Sequence, residues 1–143
     1  MITYSDTREF RPTDIAELFL SVGWESGKYP NRIVAGLRAS TRVVSAWDGE
    51  KLVGLIRALD DGATIAFLHY LLVRPEYQGM HVGGELMKRM LEGYKDLLYI
   101  KIMPSDPKTV PFYKKFGFES YDNYSAMMIK RMPAASDYPA EKA

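Results

Sequence analysis

The chain has 143 residues, of which 47% are hydrophobic and 26% charged, with a net charge of +1 and no cysteine. These values describe one globular domain large enough for a core. They exclude disulfides, thiolate metal sites and a cysteine nucleophile, and they supply no bulk electrostatic attraction to nucleic acid or to an anionic membrane.

Taken in order, Ile2–Ser5 reads as a first strand. Pro12-Thr13-Asp14 opens a helix, with Thr13 or Asp14 expected as its cap. Ile15, Leu18, Phe19 and Val22 recur at i, i+3, i+4 and i+7 and form its apolar face, and Gly23 ends it. Trp24–Pro30 is a loop carrying Trp24 and Tyr29. Asn31 is expected to cap a short second helix bearing Ile33, Val34 and Leu37. Arg42–Trp47 and Lys51–Ala58 are strand-like runs, and the Asp48-Gly49 between them is a strong hairpin signal. Asp60-Asp61-Gly62 then turns into a third strand, Ala63–Val73. A helix is expected over Gly83–Tyr94, followed by a buried-type strand over Leu97–Met103. Pro104-Ser105-Asp106-Pro107 breaks that strand, Asp106 can cap the helix Pro107–Phe116, and Gly117 stops it as a C-cap. Phe118–Tyr121 and Ser125–Arg131 are expected to pair as a final hairpin. The tail 133–143 is small, polar and Pro-bearing, and disorder is expected there. The order implies a single domain, 1–132, with one mixed α/β sheet. The N-terminal MITYSDTREF holds no apolar signal core, no apolar run is long enough to span a bilayer, and a cytoplasmic location is the expectation.

The stretch between the third strand and its helix carries the chemistry. Gln78-Gly79-Met80-His81-Val82-Gly83-Gly84 is a glycine-containing loop feeding a helix N-terminus. Such a loop presents N–H groups and the positive end of the helix dipole, which suits a phosphate or diphosphate. Two better-known phosphate motifs fail here. A dinucleotide G-x-G-x-x-G from Gly79 would need glycine at 81, where His81 stands. A P-loop G-x-x-x-x-G-K-S/T would need lysine and a hydroxyl at Glu85 and Leu86. Taken alone, the loop fits a ligand-free αβ connection equally well.

A second motif lies about thirty residues later: Val110-Pro111-Phe112-Tyr113-Lys114-Lys115-Phe116-Gly117-Phe118. Together the two stretches resemble the GNAT N-acetyltransferase superfamily, whose loop reads Q/R-x-x-G-x-G/A and whose later motif reads F-Y-x-K/R-x-G-F. The P-F-Y-x-x-F-G-F form is similar to that of arylalkylamine N-acetyltransferases. The resemblance implies an α/β (α+β) fold: a mixed, mostly antiparallel sheet whose splayed central strands, Ala63–Val73 and Leu97–Met103, admit acetyl-CoA. It implies pantetheine contacts from the main chain of Leu71, Leu72 and Val73. The diphosphate would lie on the amides of Gly79, Met80, His81, Val82, Gly83 and Gly84, with Gln78 at the first motif position. His81 replaces the family's usual middle glycine, and a histidine at φ > 0 is uncommon. Tyr113 is implied as the donor of a proton to the departing thiolate. His69, nine residues before Gln78, is implied as a helper in deprotonating the amine.

The chemistry fits those residue types. At pH 7 roughly one alkylamine in a thousand is neutral, so a base with an imidazole's ordinary pKa is useful. His69 stands mid-strand on the same alternation as Phe67 and Leu71. A buried structural histidine, or a water chain in place of a base, are the competing readings. A main-chain N–H from Leu71–Val73 can serve as oxyanion donor. The expected reaction is direct transfer of acetyl from acetyl-CoA to a primary amine through a tetrahedral intermediate, with no metal. The expected partners are acetyl-CoA and a small amine, no nucleic acid and no membrane, for a monomer or homodimer. Trp24, Tyr29, Tyr121 and Tyr124 suggest an aromatic or apolar acceptor. The alternatives are a protein lysine or N-terminal acetyltransferase, and a non-catalytic acyl-CoA-binding sensor.

Overall fold

The sheet is built from β1 (Ile2–Ser5), β2 (Arg42–Asp48), β3 (Lys51–Asp60), β4 (Ile65–Val73) and β5 (Tyr99–Ile102), side by side in that order. A computed structural model describes residues 1–132 and 141. The first three pairings are antiparallel, and β4 and β5 run parallel. The turns are those their glycines require: Gly49 and Gly62 take φ of +62° and +74°, where a side chain is costly. Asp61 accepts the Thr64 hydroxyl and the amides of Thr64, Ala63 and Ile65, which fixes the second turn and holds its carboxyl well below the usual carboxylate range.

Helices α1 (Pro12–Ser21) and α2 (Pro30–Ala39) cover one face of the sheet, and α3 (Val82–Glu92) and α4 (Val110–Lys114) the other. The predicted caps of the first two are corrected. Pro12 and Pro30 open the helices, because a fixed φ and a missing N–H suit the first turn. Arg11 therefore stands at the cap position without a side-chain bond, while Asp14 inside the first turn pairs with it at 2.9 Å. Asn31 is not a cap either. Its amide and that of Arg32 donate to the carboxylate of Glu141, at 2.6 and 3.1 Å. A carboxylate there satisfies free donors and meets the positive end of the dipole. The expectation of a disordered tail otherwise falls on 133–140 and 142–143, outside the described residues.

Two cores sandwich the sheet. Ile15, Leu18, Phe19, Ile33 and Leu37 pack against Val43, Leu55 and Leu72 on one side. Leu86, Met87 and Met90 of α3 pack against Val44, Val53, Ile56 and Leu68 on the other. Each such side chain contributes about 1.5–3 kcal/mol by leaving water. Gly54 is where the sheet and α3 close up: a Cβ there would lie 3.0 Å from the Leu72 carbonyl oxygen and 3.2 Å from Leu86.

The alternation of β4 is interrupted. Arg57 pairs with His69 and Leu55 with Leu72, so Tyr70 and Leu71 together oppose Ile56. Tyr70 takes φ +58°, and this bulge reverses the pleat. Leu68 faces α3 before it, and Leu71 and Val73 face α3 after it. The expectation that His69 and Leu71 share a face is thereby corrected: Tyr70 joins His69 and Leu71 leaves it.

The final hairpin is also corrected. Residues 118–131 form no strand, and Met127 and Ile129 are 88% and 83% exposed. A two-stranded hairpin needs a further sheet or helix surface to persist, and β5 offers only four residues. The predicted helix over Pro107–Phe116 shortens to one 3₁₀ turn, Pro107–Thr109, and α4, with Asp106 capping through its bond from the Lys108 amide at 3.0 Å.

Candidate active site

The bulge marks the place where the sheet opens. Pairing of β4 with β5 ends at Leu68 and Ile102, while β4 runs on to Val73. Beyond Leu68 this edge of β4 has no partner strand among the described residues. Leu71, Leu72 and Val73, the predicted main-chain contacts, lie along it. Arg74 closes its end. Its amide donates to Val53 O at 2.8 Å, its Nε donates to Leu52 O at 2.7 Å, and its guanidinium reaches Glu17 at 3.3 Å.

The loop follows directly. A 3₁₀ turn, Pro75–Tyr77, leads to Gln78, whose side-chain amide donates to Val73 O at 3.0 Å. Gln78 thus ties the loop to the end of β4 and occupies one carbonyl of the predicted pantetheine contacts. Gly79 takes φ +84° and His81 φ +61°. The position where the family pattern has glycine is left-handed in this chain, with histidine in it. The first amide to donate within α3 is Glu85, to His81 O at 3.1 Å. The amides of Gly79 through Gly84 precede that bond and donate to no group outside the helix among the described residues. Two left-handed residues, Gly79 and His81, thus stand directly ahead of the helix, in the segment whose amides the sequence reading assigns to a diphosphate.

Helix α4 stands against this loop. A Cβ on Gly83 would lie 3.7 Å from the Phe112 ring, and one on Gly84 3.7 Å from Phe116. Phe112 and Tyr113 meet edge to face at 5.2 Å, and Tyr113 and Phe118 at 6.1 Å. Tyr113 is half-buried, and burial raises its hydroxyl above the ordinary 10, so it stays protonated at neutral pH. Leu71, Val73 and Tyr113 pack on the same core. The structure therefore brings β4's open edge, the loop and Tyr113 to one face of the sheet.

His69 faces the other way, toward α1 and α2, among partners not foreseen from the sequence. Its ring stacks on Tyr70 with centroids 3.8 Å apart. Arg57, directly opposite on β3, donates from Nε and Nη2 to His69 Nδ1 at 3.2 and 2.8 Å. The same guanidinium lies 4.5 Å over the Tyr70 ring. Phe19 and Trp24 wall the cluster, 5.0 and 6.4 Å from Tyr70. Burial, then the Arg57 charge, lowers His69 to about 4. Tyr29 is buried beside α2, whereas Tyr121 and Tyr124 are exposed and stack on each other at 5.2 Å.

The sheet thus holds a parallel strand pair that parts next to a bulge, with a helix N-terminus at the far end of the opening. The acetyltransferase (GNAT) family matches residues 7–118, and the chain belongs to that family. A GNAT-family acetyltransferase from Streptococcus pneumoniae TIGR4 superposes with a TM-score of 0.78 at 32% identity, over 92% of this chain and 99% of that one. An uncharacterised ycf52-like N-acetyltransferase of Prochlorococcus marinus is 28% identical over 80% of this chain, which spans 66% of that relative's length. A predicted acetyltransferase of Clostridium acetobutylicum, described with acetyl-CoA, shares the fold at a TM-score of 0.65 and 15% identity, over 90% of this chain and 96% of that one. Among the described residues no helix is long and apolar enough to cross a membrane, and no group of three His, Asp or Glu could hold a metal.

Proposed function

We propose that the protein transfers an acetyl group from acetyl-CoA to the primary amine of a small molecule. The observation that carries this reading is the continuous path from β4's unpaired edge to the amides of Gly79–Gly84. A pantetheine arm matches the first and a diphosphate the second. The Clostridium acetobutylicum protein of the same fold, solved with acetyl-CoA, supports it. Acetyl-CoA, when bound, supplies an acetyl thioester already activated toward amines.

The chain's own residues do the rest. Main-chain groups of Leu71–Val73 orient the arm, and an N–H there serves as oxyanion donor. Tyr113 keeps its proton at neutral pH and gives it to the sulfur as that atom departs. His69 lines the opposite side of the opening, where the acceptor enters beside Trp24 and Tyr70, with Phe19 buried behind them. Its lowered pKa suits a hydrogen-bonding role better than a base, so water carries off the amine proton. We place the protein in the cytoplasm, acting on neither nucleic acid nor membrane. The exposed run at Met127, Met128 and Ile129 supports a homodimer over a monomer; a monomer mass by light scattering would overturn that part.

Protein lysines or N-termini, and binding without turnover, are the competing readings. A panel of amines and peptides assayed for free-thiol release from acetyl-CoA separates them. Small amines should release thiol. Release with peptides alone favours the protein-directed reading.

A further inference from the structure

We propose that Arg57 is a positioning residue that holds His69 as a neutral imidazole with its proton on Nε2, making His69 a hydrogen-bond donor to an oxygen of the acceptor molecule. The proposal rests on the acetyl-transfer reading for the acceptor's identity, but its physical core does not. Two donors of one guanidinium converge on Nδ1, at 3.2 and 2.8 Å. A guanidinium has N–H groups and no lone pair to offer. Nδ1 must therefore present its own lone pair, and the ring proton must sit on Nε2.

The surroundings hold that state. The bulge at Tyr70 turns two consecutive rings, His69 and Tyr70, to the same face. Tyr70 then carries the guanidinium on its π-face at 4.5 Å, a favourable cation–π distance. Gly36 of α2 leaves the room required, since a Cβ there would come 3.3 Å from Arg57 Nη1. Arg57 from β3 and Tyr70 from β4 are the charged and titratable groups against His69 among the described residues. No carboxylate lies within ion-pair distance of Arg57 among those residues. Protonating His69 would place a second cation against the first and replace an accepting atom with a donor.

The consequence concerns substrate class. A donor N–H backed by an unpaired guanidinium repels an ammonium and welcomes a lone pair. The acceptor is therefore an amine that enters neutral and bears an oxygen near the amine, as an amide, a carboxylate or a hydroxyl, beside an apolar group for Trp24.

Imidazole ¹⁵N NMR of the full chain tests the first part without any turnover, with His69 assigned by its loss in His69→Gln. At pH 7 His69 should show a protonated Nε2 and a bare Nδ1, with a titration midpoint near 4. In Arg57→Met the midpoint should rise toward the ordinary 6.5 and the tautomer preference should relax. Arg57→Lys, with one donor left, should recover part of the preference. A proton on Nδ1 in the parent, or a parent midpoint near 6.5, overturns the proposal even if Arg57→Met fails to fold. Kinetics tests the second part. His69→Gln keeps an N–H near the Nε2 position, so kcat/KM should stay within about tenfold of the parent. Loss of a general base would cost about 10²–10⁴-fold. Amines with a neighbouring oxygen should outperform matched amines without one by about tenfold, and that preference should vanish in His69→Ala. Equal rates for both kinds of amine would overturn the substrate class. Absence of transfer to any amine, with the NMR signature intact, would count against the acetyl-transfer reading and not against the Arg57–His69 lock.

Discussion

Replacing Gly83 with valine separates the fold from the loop's role. Gly83 is the second residue of α3. A Cβ built on it would lie 3.7 and 3.8 Å from two atoms of the Phe112 ring and 3.8 Å from Val73 Cγ2. Those are ordinary van der Waals distances, so the fold has room for it. Removing glycine from a helix gains about 0.5–1 kcal/mol, and the β-branch returns part of that, so stability should stay within about 1 kcal/mol. The ligand is affected differently. On the proposed placement of the diphosphate, a side chain at this position crowds its approach to the amides of Gly83 and Gly84. One hydrogen bond to a charged group is worth about 1.5–3 kcal/mol, and each 1.4 kcal/mol is tenfold in affinity. The expected result is CoA binding weakened by about 10–100-fold, read by calorimetry, with a thermal midpoint shifted by no more than a few degrees. Gly83→Ala should fall between parent and valine. A folded Gly83→Val that binds CoA like the parent would refute the placement of the diphosphate.

Tyr113→Phe keeps the ring contacts with Phe112 and Phe118 and removes only the hydroxyl; kcat should fall by about 10²–10⁴-fold with CoA affinity unchanged, and a lowered melting temperature at full kcat would make Tyr113 a packing residue. His81→Gly should be tolerated or stabilising, because a left-handed L-residue costs about 1–2 kcal/mol and glycine's extra entropy returns about 0.5–1; a clear loss of stability in denaturant would contradict this. Gly54→Ala should destabilise by about 1–3 kcal/mol, since the nearest obstacle to its Cβ is the Leu72 carbonyl oxygen at 3.0 Å and backbone cannot step aside; an unchanged melting temperature would show the sheet is looser. His69 binds its proton more weakly folded than unfolded, so it contributes stability above about 6.5 that is lost as pH falls toward about 4; His69→Gln should lose less stability than the parent across that window, and parallel denaturation curves would argue against the shift.

Local signals carried much of the fold. The spacing of Ile15, Leu18 and Phe19 marks a buried helix face, and all three are buried. Gly49, Gly62 and Gly117 mark turns, and each takes positive φ. The glycine loop was legible for the same reason, since backbone exposure before a helix depends on a few adjacent residues. What failed to show was set by contacts distant in sequence. Nothing in HYLL announces that Tyr70 turns left-handed; that follows from β3 opposing β4 with one residue fewer. Arg57 lies twelve residues from His69 and meets it only across the ladder. The cap of α2 comes from Glu141, 110 residues away. Residues 118–131 have strand-like composition, but a strand needs an edge to pair with, and composition does not report one.

The most direct measurement is thiol release from acetyl-CoA with oxygen-bearing primary amines, coupled to mass detection of the N-acetylated product, for the parent and Tyr113→Phe side by side. Product and stoichiometric thiol are expected in the parent, and both reduced by about 10²–10⁴-fold in the variant. Tight CoA binding by the parent with no product from any amine or peptide would contradict this and make the protein a binder.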